Sequence, residues 1–123
     1  MPSPESLQRF IDRVESNAHV EAIEEFYAPR AAMQENEQPP RIGRDALVEN
    51  ERKALARAQS VTSECVRPVL VNGNHVVIRW IFHFEFHDDT KIRLDELAYQ
   101  RWDGDRIIDE KFFYDPQQLK PRT

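Results

Sequence analysis

The sequence predicts an α+β fold, a curved antiparallel sheet wrapped against helices that precede it, on two observations. Apolar residues before Arg57 recur mostly at helical spacing behind recognisable start signals, whereas from Ser60 onward the chain breaks into four long runs rich in β-branched and aromatic residues. Helices first and strands afterwards leave a sheet that closes over one side of the helices, with a pocket between the layers. No internal repeat and no linker interrupts the chain, so residues 1–123 read as a single domain.

Ser3, Pro4 and Glu5 open the first helix with a capping hydroxyl, a preset φ and an acid at the positive end of the helix dipole. Leu7, Phe10, Ile11 and Val14 form its apolar stripe. Asn17 starts a second helix lined by Val20, Ile23 and Phe26 or Tyr27, and Pro29 ends it. The segment from Ala31 begins as a short strand, runs into the Pro39-Pro40 loop, and gives way at Gly43 to a third helix with Leu47, Glu51 and Leu55 on its inner edge. The four strands that follow span 61–71, 75–87, 91–102 and 106–115, with hairpin turns at Asn72-Gly73, Asp88-Asp89 and Asp103-Gly104. Pro68 has no N–H to give to a ladder, so it marks an edge or a bulge.

Composition excludes several functions. Lys and Arg number 17 against 22 Asp and Glu, a formal charge of −5, and no basic block is present to neutralise a phosphate backbone, so nucleic acid is not an expected partner. Cys65 is the only cysteine, which rules out an intrachain disulfide and argues against a cysteine-based metal site. No HExxH-type spacing and no Gly-rich phosphate loop occurs, so neither a metal nor a cofactor is expected. The N-terminus lacks a basic region followed by an apolar run, and no apolar stretch reaches membrane-spanning length. A cytoplasmic protein without a membrane partner is the expectation.

Residues 94–116 carry the strongest functional signal. Glu96 and Glu110 sit among apolar and aromatic neighbours in runs that suit a half-buried sheet, and a buried charge is costly unless it is paired or used.

Two stretches, Gln34 with Pro39-Pro40 and Gly43-Arg44-Asp45-Ala46, and the ending from Ile107 through Phe113-Tyr114-Asp115, resemble the nuclear transport factor 2-like (NTF2-like) superfamily. That group includes ketosteroid isomerase, SnoaL-like polyketide cyclases and limonene epoxide hydrolase. The resemblance covers nearly the whole chain and implies a cone-shaped α+β barrel around a hydrophobic pocket. It places Met33 and Glu35 inside and matches Arg79 to the pocket arginine of the epoxide hydrolase branch. That branch flanks its arginine with two catalytic aspartates, and those positions hold Ile81 and Phe112 here. Water activation by an Asp-Arg-Asp device is therefore excluded. The catalytic tyrosine and paired aspartates of ketosteroid isomerase have no clear motif match either.

The strand from His75 presents two faces. Val76, Ile78, Trp80, Phe82, Phe84 and Phe86 form one, and Val77, Arg79, Ile81, His83, Glu85 and His87 the other. Periodicity alone turns the aromatic face to the core. The resemblance argues the reverse, with Arg79 and His83 inside and the aromatic stripe forming a homodimer contact on the outer sheet face, centred on Trp80. A two-residue turn at Asp88-Asp89 fits that second reading, since it sets Ile81 opposite Glu96 and Arg79 opposite Ala98. A three-residue turn over 103–105 sets Ala98 opposite Glu110, and a two-residue turn there would point Glu110 away from Glu96.

On this reading Glu35, Glu96, Glu110 and His83 are the candidate catalytic residues, and Met33, Arg79, Gln100 and Tyr114 the candidate substrate-binding ones. Desolvation and mutual repulsion raise carboxylate pKa values, so such a cavity can hold one ionised and one protonated acid for proton transfer. The expected function is a small-molecule-binding SnoaL-like domain, a cofactor-free isomerase, cyclase, dehydratase or hydrolase acting on a small apolar substrate. The alternative is a non-catalytic module that binds a ligand or supports dimerisation, with Arg79 and Glu110 as a satisfied buried pair.

Overall fold

The computed structural model describes residues 1–122. Ser3 caps helix α1 (Pro4–Glu15), its hydroxyl accepting from the Ser6 N–H at 3.1 Å. Phe10, Ile11 and Val14 are buried along this helix and Leu7 packs beside them. The Phe10 ring meets those of Phe26, Tyr27, Trp80 and Trp102 with centroids 5.5–6.5 Å apart, in edge-on or tilted contacts that aromatic quadrupoles favour. Asn17 does not cap the second helix. Its φ of +67° makes it the left-handed corner after α1, and helix α2 (His19–Phe26) begins beyond Ala18. Pro29 does not end that helix either, because Tyr27 is already extended and starts strand β1 (Tyr27–Glu35).

Strand β2 (Arg41–Ile42) pairs back onto β1, and Gly43, at φ +101°, leads into helix α3 (Arg44–Ala56). The rest is sheet: β3 (Ala58–Asn72), β4 (His75–Phe86), β5 (Lys91–Asp103) and β6 (Arg106–Phe113), followed by a short 3₁₀ turn at Pro116–Leu119. The six strands form one curved, unclosed sheet in the order β2-β1-β6-β5-β4-β3. Not all of it is antiparallel. β1 joins β6 in parallel, which hairpin geometry does not forbid because the two are far apart in sequence. Pro68 lies in edge strand β3 where the register shifts between Val66 and Leu70, so it meets both of the conditions its missing N–H imposes.

Two turns set which side chains share a face. At the β4–β5 turn Glu85 pairs with Lys91, and the loop holds three residues, His87, Asp88 and Asp89. Asp89 takes a left-handed φ of +67°, while the Asp88 carboxylate accepts from the Thr90 N–H at 3.1 Å and its hydroxyl at 2.6 Å. One residue more than the expected turn moves every pairing by one, so Trp80, not Ile81, stands opposite Glu96, and Arg79 stands opposite Leu97.

At the β5–β6 turn two residues, Gly104 and Asp105, separate the paired Asp103 and Arg106. That alone would turn Glu110 outward. A bulge restores it: Trp102 pairs with Ile107 but Arg101 with Asp109, leaving Ile108 as the extra residue. Glu110 therefore still shares a face with Glu96, two positions further along than expected and opposite Gln100 instead of Ala98.

The inner face of the sheet and the helices enclose one core, with Ala31, Val76, Ile78, Ala98 and Ile107 fully buried and Trp80 and Trp102 among its largest members. This reverses the Trp80-centred dimer surface expected above. At 2% exposure Trp80 has no area left to offer a partner chain. Among the described residues no helix is long and apolar enough to cross a membrane.

Candidate functional site

A cavity of about 180 Å³ lies between the helices and the inner face of the sheet. Phe10, Trp80, Phe82, Phe84 and Phe112 supply aromatic walls, and Val14, Ile23 and Leu94 aliphatic ones. Trp80 and Phe82, two residues apart on β4, stack with centroids 5.8 Å apart and 25° between planes. Four carboxyls reach the same space: Glu35 from β1, Glu51 from α3, Glu96 from β5 and Glu110 from β6. Among the described residues neither a lysine nor an arginine lines it.

Glu110 is held from both sides. The Tyr27 hydroxyl donates to one carboxyl oxygen and Gln100 Nε2 donates to the other at 2.6 Å; Gln100 Oε1 in turn accepts from the Trp102 indole N–H at 2.9 Å. Burial, at 3% exposure, pushes Glu110 up to about 7, with Glu51 adding repulsion and the two donors pulling the other way by favouring the charged form. Burial, and then the neighbouring Glu110, raise the Tyr27 phenol well above its usual value, so it remains a donor.

Glu96 differs. It is 6% exposed, lines the cavity, and among the described residues receives no hydrogen bond. Burial first, then repulsion from Glu110, Glu35 and Glu51, raises it to about 8, so the protonated acid prevails at neutral pH. Glu51 is raised as well, by burial and by Glu35. At the open end Glu35 is exposed and accepts from the Tyr114 hydroxyl at 3.3 Å; burial and that acid push the phenol up to about 12.

Of the residues singled out from the sequence, Met33, Glu35, Glu96 and Glu110 line the cavity, Gln100 reaches it through Glu110, and Tyr114 through Glu35. Arg79 and His83 do not. With the β4 register moved by one residue both lie exposed on the outer face, where Arg79 donates twice to Asp95, at 2.9 and 2.6 Å, and His83 stands opposite Arg93. Glu110 is accordingly partnered by neutral donors, not by Arg79.

Three cavity residues went unassigned. Tyr27 read as the end of a helix, and Glu51 only as the inner edge of one. His19 carried no local signal at all: its Nε2 lies 2.6 Å from the Ser63 hydroxyl across the fold, its Nδ1 has no partner, and burial lowers its pKa. Glu51 was the most readable, as an acid in an otherwise apolar stripe. No group of three His, Cys, Asp or Glu side chains is arranged to hold a metal ion among the described residues.

Helices capping a curved, open sheet over an internal cavity define an NTF2-like α+β fold. A family model for the SnoaL-like domain matches residues 7–110, and the chain belongs to that family. No curated protein matches it by sequence. Among solved structures it is similar to a protein from Mesorhizobium loti described as a SnoaL-like polyketide cyclase, at TM-score 0.75 and 19% identity over 89% of this chain and 97% of that one. A protein of ketosteroid isomerase-like fold from Catenulispora acidiphila, in complex with trimethylamine, superposes at TM-score 0.76 and 15% identity over 92% and 87% of the chains. TerC, co-crystallised with polyporic acid, superposes at 0.78 and 12% over 94% and 92%.

Proposed function

We propose that this SnoaL-like chain is a single-domain, cofactor-free acid–base enzyme that binds a small, largely apolar molecule in the cavity and moves protons on it, as an isomerase or cyclase would. The observation that carries this reading is Glu96, a buried carboxyl at the cavity wall with no hydrogen-bond partner among the described residues. A structural acid is normally satisfied; one left open toward a cavity has its donor and acceptor capacity free for a ligand.

Glu96 and Glu110 flank the space, with Glu110 opposite Gln100 and Glu96 four residues away on the same strand as Gln100, a span of roughly 13 Å along the backbone. A ligand between them meets a protonated acid at one end. At the other it meets a carboxylate near half charge, oriented by Tyr27 and Gln100. Glu96 gives its proton to a carbonyl oxygen while Glu110 takes one from the adjacent carbon, so that an enol forms without any external reagent. Crystals of fold relatives with trimethylamine and with polyporic acid support a small-molecule ligand for this type of cavity.

The test is α-proton exchange of 2-tetralone in D₂O, followed by proton NMR. Wild-type protein accelerates exchange over buffer, and Glu96→Gln lowers the rate roughly 10²-fold or more. Equal rates for the two proteins would reject Glu96 as the proton-transferring group. The complete hydrogen bonding of Glu110 favours a second reading, a non-catalytic ligand-binding module; 2-tetralone binding without accelerated exchange would select it.

We also propose a cytoplasmic location and a homodimer joined through the outer sheet face. Leu97, Tyr99 and Phe113 are 44–45% exposed, and Leu97 and Phe113 are register partners there.

A further inference from the structure

The cavity carries a charge pattern that a neutral ligand would leave unused. Its four carboxyls come from four different elements, and among the described residues no lysine or arginine lines it. The sheet arginines Arg79 and Arg101 are spent on Asp95 and Asp109, with N–O distances of 2.6 and 2.7 Å on the outer face, and Arg93, three residues before Glu96, is exposed. Tyr27 and Gln100 donate to Glu110 but not to Glu96, and His19, directed at Ser63, is held toward its neutral form by burial. Glu96 is 6% exposed, has no hydrogen-bond partner among the described residues and shares its face of the sheet with Trp80 and Phe82. Acids with aromatic rings beside them attract a positive charge twice over, through the carboxylates and through the negative ring faces.

We propose that this cavity takes a lipophilic cation, an amine or quaternary ammonium compound whose charged group lies against Glu96 and the rings of Trp80 and Phe82. The proposal rests on the reading of the cavity as a ligand site and names the chemical class that fits it. Anions are excluded by the same arrangement, since a carboxylate or phosphate would face four acids and no cation. The overall charge of −5 favours encounter with a cation as well.

Proton linkage follows. Glu96 is kept protonated by burial and by Glu110, Glu35 and Glu51. The phenols of Tyr27 and Tyr114 also feel its charge, and the one basic side chain among the described residues that line the cavity, His19, is held toward its neutral form by burial. A cation seated there stabilises the ionised form, so binding near neutral pH expels a proton.

Isothermal titration calorimetry of the full chain with phenyltrimethylammonium and with its uncharged isostere tert-butylbenzene tests this. Two buffers of different ionisation heat give the protons released. The expected result at pH 7.5 is a Kd for the cation roughly tenfold or more below that of the isostere, with proton release on binding. Glu96→Gln, which replaces a protonated acid by a neutral group of the same shape, should bring the two Kd values together; Glu51→Gln should narrow the gap by less, and serves in place of Glu96→Gln if that variant does not fold. A cation that binds no tighter than the isostere, a preference unchanged in the variants, or no binding of either compound overturns the proposal. Exchange of 2-tetralone by wild-type protein in any of these cases leaves the acid–base reading standing and removes only the cationic ligand.

Discussion

Trp80 and Glu96 are directly opposed on neighbouring strands, so one of the largest buried side chains of the core and the unpartnered acid share one face of the sheet. The indole helps to exclude water from the carboxyl, and burial is the first cause of its raised pKa. Packing and acidity are thus produced by a single pairing.

Stability should fall as pH rises through the neutral range. The unfolded chain ionises Glu96 above about pH 4.5 while the folded chain keeps the proton until about pH 8. The stabilisation is complete below the unfolded value and is lost through that window, at about 1.4 kcal/mol per pH unit for one group. Glu110, raised to about 7, acts in the same direction. Thermal denaturation between pH 5.5 and 8.5 should show Tm decreasing, and Glu96→Gln should flatten the slope by roughly 4 °C per unit. Parallel slopes for the two proteins would contradict the assignment.

Tyr27→Phe should raise the pKa of Glu110 above about 7, because the phenol donates to the charged carboxylate and helps to hold it. The loss in stability is about 1–2 kcal/mol, the worth of one buried hydrogen bond to an ionisable group. Carboxyl carbon NMR titration measures the first effect and chemical denaturation the second. A Glu110 titration that stays put or moves down would show that the phenol does not govern it.

Arg79→Ala should leave the exchange rate of 2-tetralone and the affinity for phenyltrimethylammonium at wild-type values. The guanidinium is on the far side of the sheet, engaged with Asp95 in an exposed pair. A clear change in either quantity would mean that Arg79 reaches the cavity after all.

Leu97→Glu combined with Phe113→Glu should elute as a monomer in size-exclusion chromatography, with far-ultraviolet circular dichroism unchanged. Both side chains are exposed and directly opposed on the outer face, where two acids disrupt an apolar contact without touching the core. A double variant that elutes with the wild-type dimer, or a wild-type protein that is already monomeric, rejects that interface.

The sequence by itself determined the three helices, the strand after the second of them, the four long strands and their order, though neither the two-residue strand β2 nor the final 3₁₀ turn. Capping at Ser3, the apolar stripe of α1, and the change to alternating β-branched and aromatic residues after Ser60 are local signals, and local signals survive folding. It also determined that Glu96 and Gln100 share a face, because a strand repeats every two residues whatever it pairs with. The phase between strands was another matter. One extra residue at 87–89 placed the aromatic side of β4, instead of Arg79 and His83, against Glu96, and the loop can hold it because Asp89 accepts a left-handed backbone while Asp88 ties down Thr90. At the next turn a residue was lost and a bulge at Ile108 returned it, so Glu110 came back to the cavity. Glu51 and His19 joined the acids only when α2 and α3 packed over the sheet, and Tyr27 only when β1 paired with β6. Strand parity and helix docking are collective properties: a side chain's face depends on the sum of turn lengths and bulges up to its position, and burying the large aromatic surface of Trp80, Phe82 and Phe84 selects the sum that turns it inward.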